Sequence, residues 1–108
     1  MAGKIYWTKT ALLVFKEVLD YYNLKSGNDN YSKNLFKLVS DSTKSILNYK
    51  LIGIEVKNTP YRKFIIEKYS IFYKLSENNI EIVLFWSNKK NPDLLEVELK
   101  RLSNLKPD

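Results

Sequence analysis

Hydrophobic residues change their spacing at Pro60. Upstream, "KTALLVFKEVLDYYNLK" (9–25) places Ala11, Leu12, Phe15, Val18, Leu19 and Tyr22 three and four residues apart, the spacing of one helical face. "YSKNLFKLVSDSTKSILNYK" (31–50) repeats the pattern with Tyr31, Leu35, Leu38, Ser42, Ile46 and Tyr49. Between them "SGNDN" offers a stop at Gly27 and a new cap within Asn28–Asn30. A link this short predicts an antiparallel helical hairpin.

Downstream the period is two. "YRKFIIEK" (61–68) puts Arg62, Phe64 and Ile66 on one face, and "YSIFYKL" (69–75) does so with Tyr69, Ile71 and Tyr73. After the turn "SENN" comes "IEIVLFWS" (80–87), with Ile80, Ile82, Leu84 and Trp86 on one face and Val83 and Phe85 on the other. A strand apolar on both faces is covered on both sides. Three strands on short links predict an antiparallel meander. "KIYWT" (4–8) predicts a first strand, with Thr8 capping the helix that follows. The segment 51–60, punctuated by Gly53 and "NTP", is a transition that can be extended. "NPDLLEVELKRL" (91–102) predicts a short closing helix with Pro92 in its first turn. The expected fold is α+β, in the order β-α-α-β-β-β, with the helical hairpin packed on an antiparallel sheet. Residues 1–108 form one domain in this reading.

Composition narrows the chemistry. The chain has no cysteine and no histidine, which removes disulfides, thiolate and imidazole metal sites, and the usual nucleophile–base triads. No cofactor or metal is expected. No stretch approaches the roughly 20 apolar residues of a membrane helix, and the opening "MAGKIYWTK" lacks a signal-peptide core. The expectation is a soluble cytoplasmic protein with no membrane partner. Eighteen Lys and Arg against 12 Asp and Glu give a net charge of +6, which suits nucleic acid or an acidic protein segment. Nearly all the cations are lysine, a bias that the codon composition of a genome can produce unaided. Against that background Arg62 and Arg101 stand out.

The residues "YRKFIIEKYSIFYKLSENNIEIVLFWSNKKNP" (61–92) resemble the RelE/ParE superfamily of toxins from type II toxin–antitoxin systems. The likeness lies in an arginine opening a strand, then a "Y-x-I-F-Y" strand, then a strand ending in a basic segment closed by proline. "IYWTKTALLVFKEVLDYY" is similar to the family's first strand and helix, so the resemblance covers most of the chain. The sequence departs from the family pattern in three places. Lys89 or Lys90 stands where an arginine is usual, Ser87 stands where an acidic residue is frequent, and the Pro-x-x-Gly lead-in to the arginine strand is weak.

The resemblance implies a cognate antitoxin as partner, with operator DNA reached only through that antitoxin. It also implies two target classes. RelE-like members cut messenger RNA in the ribosome, and ParE-like members poison DNA gyrase. Cleavage would need a phosphate clamp, for which Arg62 is suited, point charges such as Lys89, and a proton-transfer group, for which Glu81 and Tyr73 are the candidates. The RelE-like tyrosine or histidine near the C-terminus has no counterpart after residue 91. Gyrase poisoning needs only a binding surface, for which Arg62, Lys63, Lys89 and Lys90 are the candidates. The favoured expectation is therefore ParE-like and non-catalytic. Arg62, Lys89 and Lys90 would converge at one end of the sheet, unless Arg62 is simply ion-paired to Glu81 or Glu67. A third expectation is an inactive relative that only binds its antitoxin.

Overall fold

A computed structural model describes residues 3–104. The elements are β1 (Ile5–Trp7), α1 (Lys9–Ser26), α2 (Asn30–Asn48), β2 (Ile54–Glu55), β3 (Arg62–Ile66), β4 (Tyr69–Ser76), β5 (Asn79–Ser87) and α3 (Pro92–Ser103). The expected α+β order holds, with one addition. Two residues of the transition segment form β2, so the sheet has five strands in the order β1-β5-β4-β3-β2. β2 to β5 are antiparallel neighbours. β1 joins the other edge parallel to β5, with Ile5 opposite Ile80 and Trp7 opposite Ile82, because the helical hairpin carries the chain across the sheet before the meander begins.

Local signals set the helix ends. The Thr8 hydroxyl accepts the Ala11 N–H at 3.2 Å, capping α1. α1 stops at Gly27, whose φ of 73° is a left-handed conformation that glycine adopts without steric cost. Asp29 stands at the start of α2 without a side-chain cap. Asn91 caps α3 through the Asp93 N–H at 2.8 Å.

The hairpin packs on one face of the sheet. Ala11 and Phe15 of α1, with Leu35, Val39 and Ile46 of α2, meet Ile71, Tyr73, Ile80, Ile82 and Phe85. The buried hydroxyls of Ser42 and Thr43 donate to the carbonyls of Leu38 and Ser40, at 2.7 and 2.8 Å. Small side chains whose polar atoms are satisfied within their own helix can sit in a core without an orphaned hydroxyl. The expected stripes hold in part: Leu12 and Tyr49 are exposed, and Val39 is the deeply buried residue beside the half-buried Leu38.

α3 covers the opposite face, placing Leu99 against Tyr61, Phe72, Val83, Leu84 and Trp86. Strict alternation along β5 fails at one point. Phe72 faces Leu84 but Tyr73 faces Ile82, so Val83 is an extra residue in a bulge. The bulge puts Ile80, Ile82 and Phe85 in the helical-hairpin core and Val83, Leu84 and Trp86 in the α3 core. The expected grouping of Leu84 and Trp86 with Ile82 is thereby corrected.

Candidate functional site

The meander has two ends, and they differ in how their polar groups are used. Arg62 opens β3 opposite Tyr73, which in turn faces Ile82. Its guanidinium Nη1 donates to the Gly53 carbonyl at 2.8 Å and to the Leu51 carbonyl at 3.3 Å. Its Nη2 donates to Glu55 at 3.3 Å. The partner is Glu55, not Glu81 or Glu67, because β2 lies beside β3 and places Glu55 directly opposite Arg62. Only about a fifth of the Arg62 side chain is exposed, against 80% for Glu55. The guanidinium therefore acts chiefly as a clamp on two backbone carbonyls of the α2–β2 connection.

The Tyr73 hydroxyl completes that clamp. It accepts the Gly53 N–H and donates to the Lys50 carbonyl, both at 2.9 Å. Burial pushes its phenol above the usual value, partly opposed by the Gly53 N–H and the nearby Arg62. Gly53 is required by proximity, since a Cβ there would lie 2.6 Å from the Tyr73 hydroxyl and 3.0 Å from the Lys63 carbonyl. Lys63 belongs to the other face of β3, across from Phe72 and Ile54. Glu81 pairs across strands with Lys74 at 3.5 Å. Its position in β5, next to Ile82, puts it on the face opposite Tyr73. Of the candidates for cleavage chemistry, the fold joins Arg62 to Tyr73 and keeps Glu81 and Lys89 away from them.

Lys89 and Lys90 follow β5, whose last residue, Ser87, faces Tyr69, and Tyr69 faces Ile66 at the end of β3. The start of β3 and the exit of β5 are therefore at opposite ends of the sheet. The rows of Arg62 and Ile66 are separated by four residues, roughly 13 Å of strand. The expected convergence of Arg62 with Lys89 and Lys90 does not occur, because three antiparallel strands leave by the end opposite the one where they started.

What stands beside Lys89 and Lys90 is the β3–β4 turn. The Asn88 N–H donates to the Lys68 carbonyl at 2.8 Å, and the Ser70 hydroxyl donates to the Asn88 side chain at 2.6 Å. These bonds tie the turn to the β5–α3 loop. Lys68 Nζ lies 5.7 Å from the ring centre of Tyr22 and 5.8 Å from that of Tyr31, and Lys90 Nζ lies 4.8 Å from that of Trp86. Among the described residues none of Lys68, Lys89 or Lys90 is within ion-pair distance of a carboxylate. The Tyr22 and Tyr69 hydroxyls are 3.3 Å apart. That contact, with Lys68 nearby, lowers the Tyr22 phenol, while burial raises Tyr69. The Tyr31 hydroxyl is buried with no protein partner.

Sequence reasoning missed Lys68 and Tyr22. The signal was present, since a meander necessarily sets the turn before its second strand beside the exit of its third. What was absent was any pattern placing the last turn of α1 there.

A third feature is apolar. A groove of about 480 Å³ runs between α1 and α2, lined by Trp7, Leu12, Phe15, Leu19, Phe36 and Val39, with Lys16 at its side. Trp7, Phe15 and Phe36 stack in sequence, with ring centres 5.4 and 6.2 Å apart. Leu12 and Phe36 are each more than half exposed. Among the described residues no three side chains converge as a metal site, and no helix is long and apolar enough to cross a membrane.

A family model described as ParE toxin of type II toxin–antitoxin system, parDE, matches residues 5–92. A solved structure, "Chromosomal ParDE TA system from P. aeruginosa", is similar at a TM-score of 0.67 and 14% identity, covering 80% of this chain and 96% of that one. No curated protein is similar to the chain in sequence.

Proposed function

Because the chain belongs to the ParE toxin family of type II toxin–antitoxin systems, we propose that it arrests growth by binding DNA gyrase and is held silent by a small acidic antitoxin. The observation that carries this reading over messenger RNA cleavage is the state of Arg62 and Tyr73. The guanidinium is bound to two carbonyls and Glu55, and the hydroxyl is buried in hydrogen bonds to the backbone. Neither group is left to clamp a phosphate or move a proton, whereas a gyrase-binding surface requires no such set.

The test pairs two reactions. Purified protein added to a gyrase supercoiling assay is expected to inhibit, and added to ribosomes programmed with messenger RNA it is expected to leave the message intact. Codon-phased cleavage would reverse the choice. Growth arrest on induction without any neighbouring gene separates an active toxin from a relative that only binds an antitoxin.

One observation favours the cleaving reading, namely the lowered phenol of Tyr22 beside Lys68. If cleavage is seen, Tyr22→Phe should abolish it, and Arg62→Ala should not do so at matched folded concentration.

The antitoxin docks, in this reading, by laying an amphipathic helix in the groove between α1 and α2. Apolar side chains would fill the space beside Trp7 and Phe36, and acidic ones would meet Lys16. Calorimetry of the purified pair should give nanomolar-class affinity, and Phe36→Asp should weaken it at least tenfold. Failure of the co-expressed neighbour to co-purify with the wild-type protein would overturn the docking.

A further inference from the structure

We infer that the sheet end carrying Lys68, Lys89 and Lys90, together with Tyr21 and Tyr22, binds single-stranded nucleic acid. The lysines would lie along the phosphodiester backbone and Tyr21 under a base. Three observations converge on this end. First, its cations come from two loops locked to each other, so their spacing is set before any ligand arrives. Second, those cations are exposed and, among the described residues, none is within ion-pair distance of a carboxylate. Glu98 of α3 is held by Arg101, and Lys90 is near enough to help lower its carboxyl. Glu67 belongs to the β3–β4 turn, and Glu17 lines a cleft of about 290 Å³ shared by Tyr22, Tyr69, Ser87 and Lys90. Third, an exposed aromatic platform adjoins the cations. Tyr21 is 56% exposed, its ring sits edge-on to Tyr22 at 5.1 Å, and Lys25 Nζ lies 5.7 Å from its centre.

A positive track beside an exposed aromatic ring suits single strands, whose unstacked bases can lie on the ring while the backbone follows the charge. A duplex presents phosphates but no free base face. An acidic peptide could use the lysines, but it would leave Tyr21 with no planar partner. The phenolic and seryl hydroxyls of Tyr22 and Ser87 add hydrogen-bond donors inside the cleft. The inference stands apart from the choice of gyrase as target: binding at this end neither requires nor excludes it.

The experiment is fluorescence anisotropy with labelled oligo(dT), oligo(U) and a duplex of the same length, across a series of KCl concentrations. The single strands are expected to bind more tightly than the duplex, and the two arms distinguish DNA from RNA as the preferred form. The triple variant Lys68→Ala/Lys89→Ala/Lys90→Ala should lower the log–log salt slope by about 2, at ~0.7 per phosphate for single strands. A charge-matched triple variant, Lys37→Ala/Lys44→Ala/Lys57→Ala, should bind like wild type. Tyr21→Ala should weaken single strands about tenfold and leave the duplex unchanged. Glu17→Gln should tighten binding, a gain that misfolding cannot mimic. Equal losses in the two triple variants would show that net charge alone is responsible and would overturn the site, as would equal affinity for duplex and single strands or no effect of Tyr21→Ala. A triple variant that loses the oligonucleotide yet still arrests growth would leave the toxin reading untouched.

Discussion

The two ends of the meander carry similar residue types and use them differently. At the Arg62 end, a guanidinium and a phenol are bound to the backbone of the α2–β2 connection. At the Lys68 end, three ammonium groups face solvent or aromatic rings, with no carboxylate among the described residues at ion-pair distance. A cation whose donors are aimed at carbonyls within the fold is a structural device, and one with no partner is available to something else. The contrast also shows why charge counted along a sequence cannot locate a binding surface. Both ends contribute to the +6, but the guanidinium at one is spent on the fold while the three ammonium groups at the other are not.

Removing a single oxygen at the Arg62 end should have the largest effect. Tyr73→Phe leaves the Gly53 N–H and the Lys50 carbonyl without their partner, and should cost about 2 kcal/mol by urea denaturation. Growth inhibition per folded molecule should be unchanged. A loss under 0.5 kcal/mol, on the order of an ordinary surface substitution, would mean that water replaces the hydroxyl and the loop needs no anchor.

The same phenol predicts a pH dependence. A tyrosine held above its ordinary 10.0 by burial stabilises the fold fully below that pH. That contribution is lost as pH rises and the unfolded chain ionises first. Stability should fall above pH 10 by about 1.4 kcal/mol per pH unit for this one group, and Tyr73→Phe should flatten that part of the profile. An unchanged slope in the variant would assign the loss to other phenols, Tyr69 first.

Arg62→Ala should cost about 1 kcal/mol, since the carbonyls of Leu51 and Gly53 can regain water in part. Arg62→Lys should recover less than half, because one ammonium on a flexible stem cannot reproduce a planar fork. If gyrase inhibition collapses while the thermal midpoint holds, Arg62 contacts the target and the contrast between the ends breaks. At the other end, Lys89→Ala and Lys90→Ala should each shift stability by less than about 0.5 kcal/mol. A larger loss for Lys90→Ala would mean that its contact with Trp86 holds the β5–α3 loop in place.

Much of the fold was legible because its signals are local. Thr8, Gly27 and Pro92 sit at helix ends where their chemistry is needed, and the change of period at Pro60 marks where the meander begins. The bulge at Val83 was not legible. An extra residue in a strand leaves no mark on composition, yet it moved Leu84, Phe85 and Trp86 to the faces opposite those expected. The partner of Arg62 was missed for a related reason. Glu55 belongs to a strand of two residues, too short for alternation to reveal, and only its pairing with β3 brings it opposite Arg62. The role of Tyr73 was hidden because nothing in "YSIFYKL" tells a phenol held by backbone from one facing solvent. Lys68 and Tyr22 meet through the docking of α1 on the sheet, which no spacing in the sequence encodes.

The parallel pairing of β1 with β5 joins Ile5 to Ile80 and Trp7 to Ile82. β1 therefore has no strand neighbour until β5 has emerged from the ribosome. At ~5–20 residues per second, the intervening 75 residues take roughly 4–15 s to synthesise. Throughout that interval the hairpin lacks the finished sheet beneath it, and Trp7, one wall of the apolar groove, is unplaced. Edge completion is thus a late event, in line with the slow closure expected of long-range strand pairing. A partner that recognises the whole groove needs Trp7 in place, so binding there should wait on the pairing of β1 with β5 as well as on affinity.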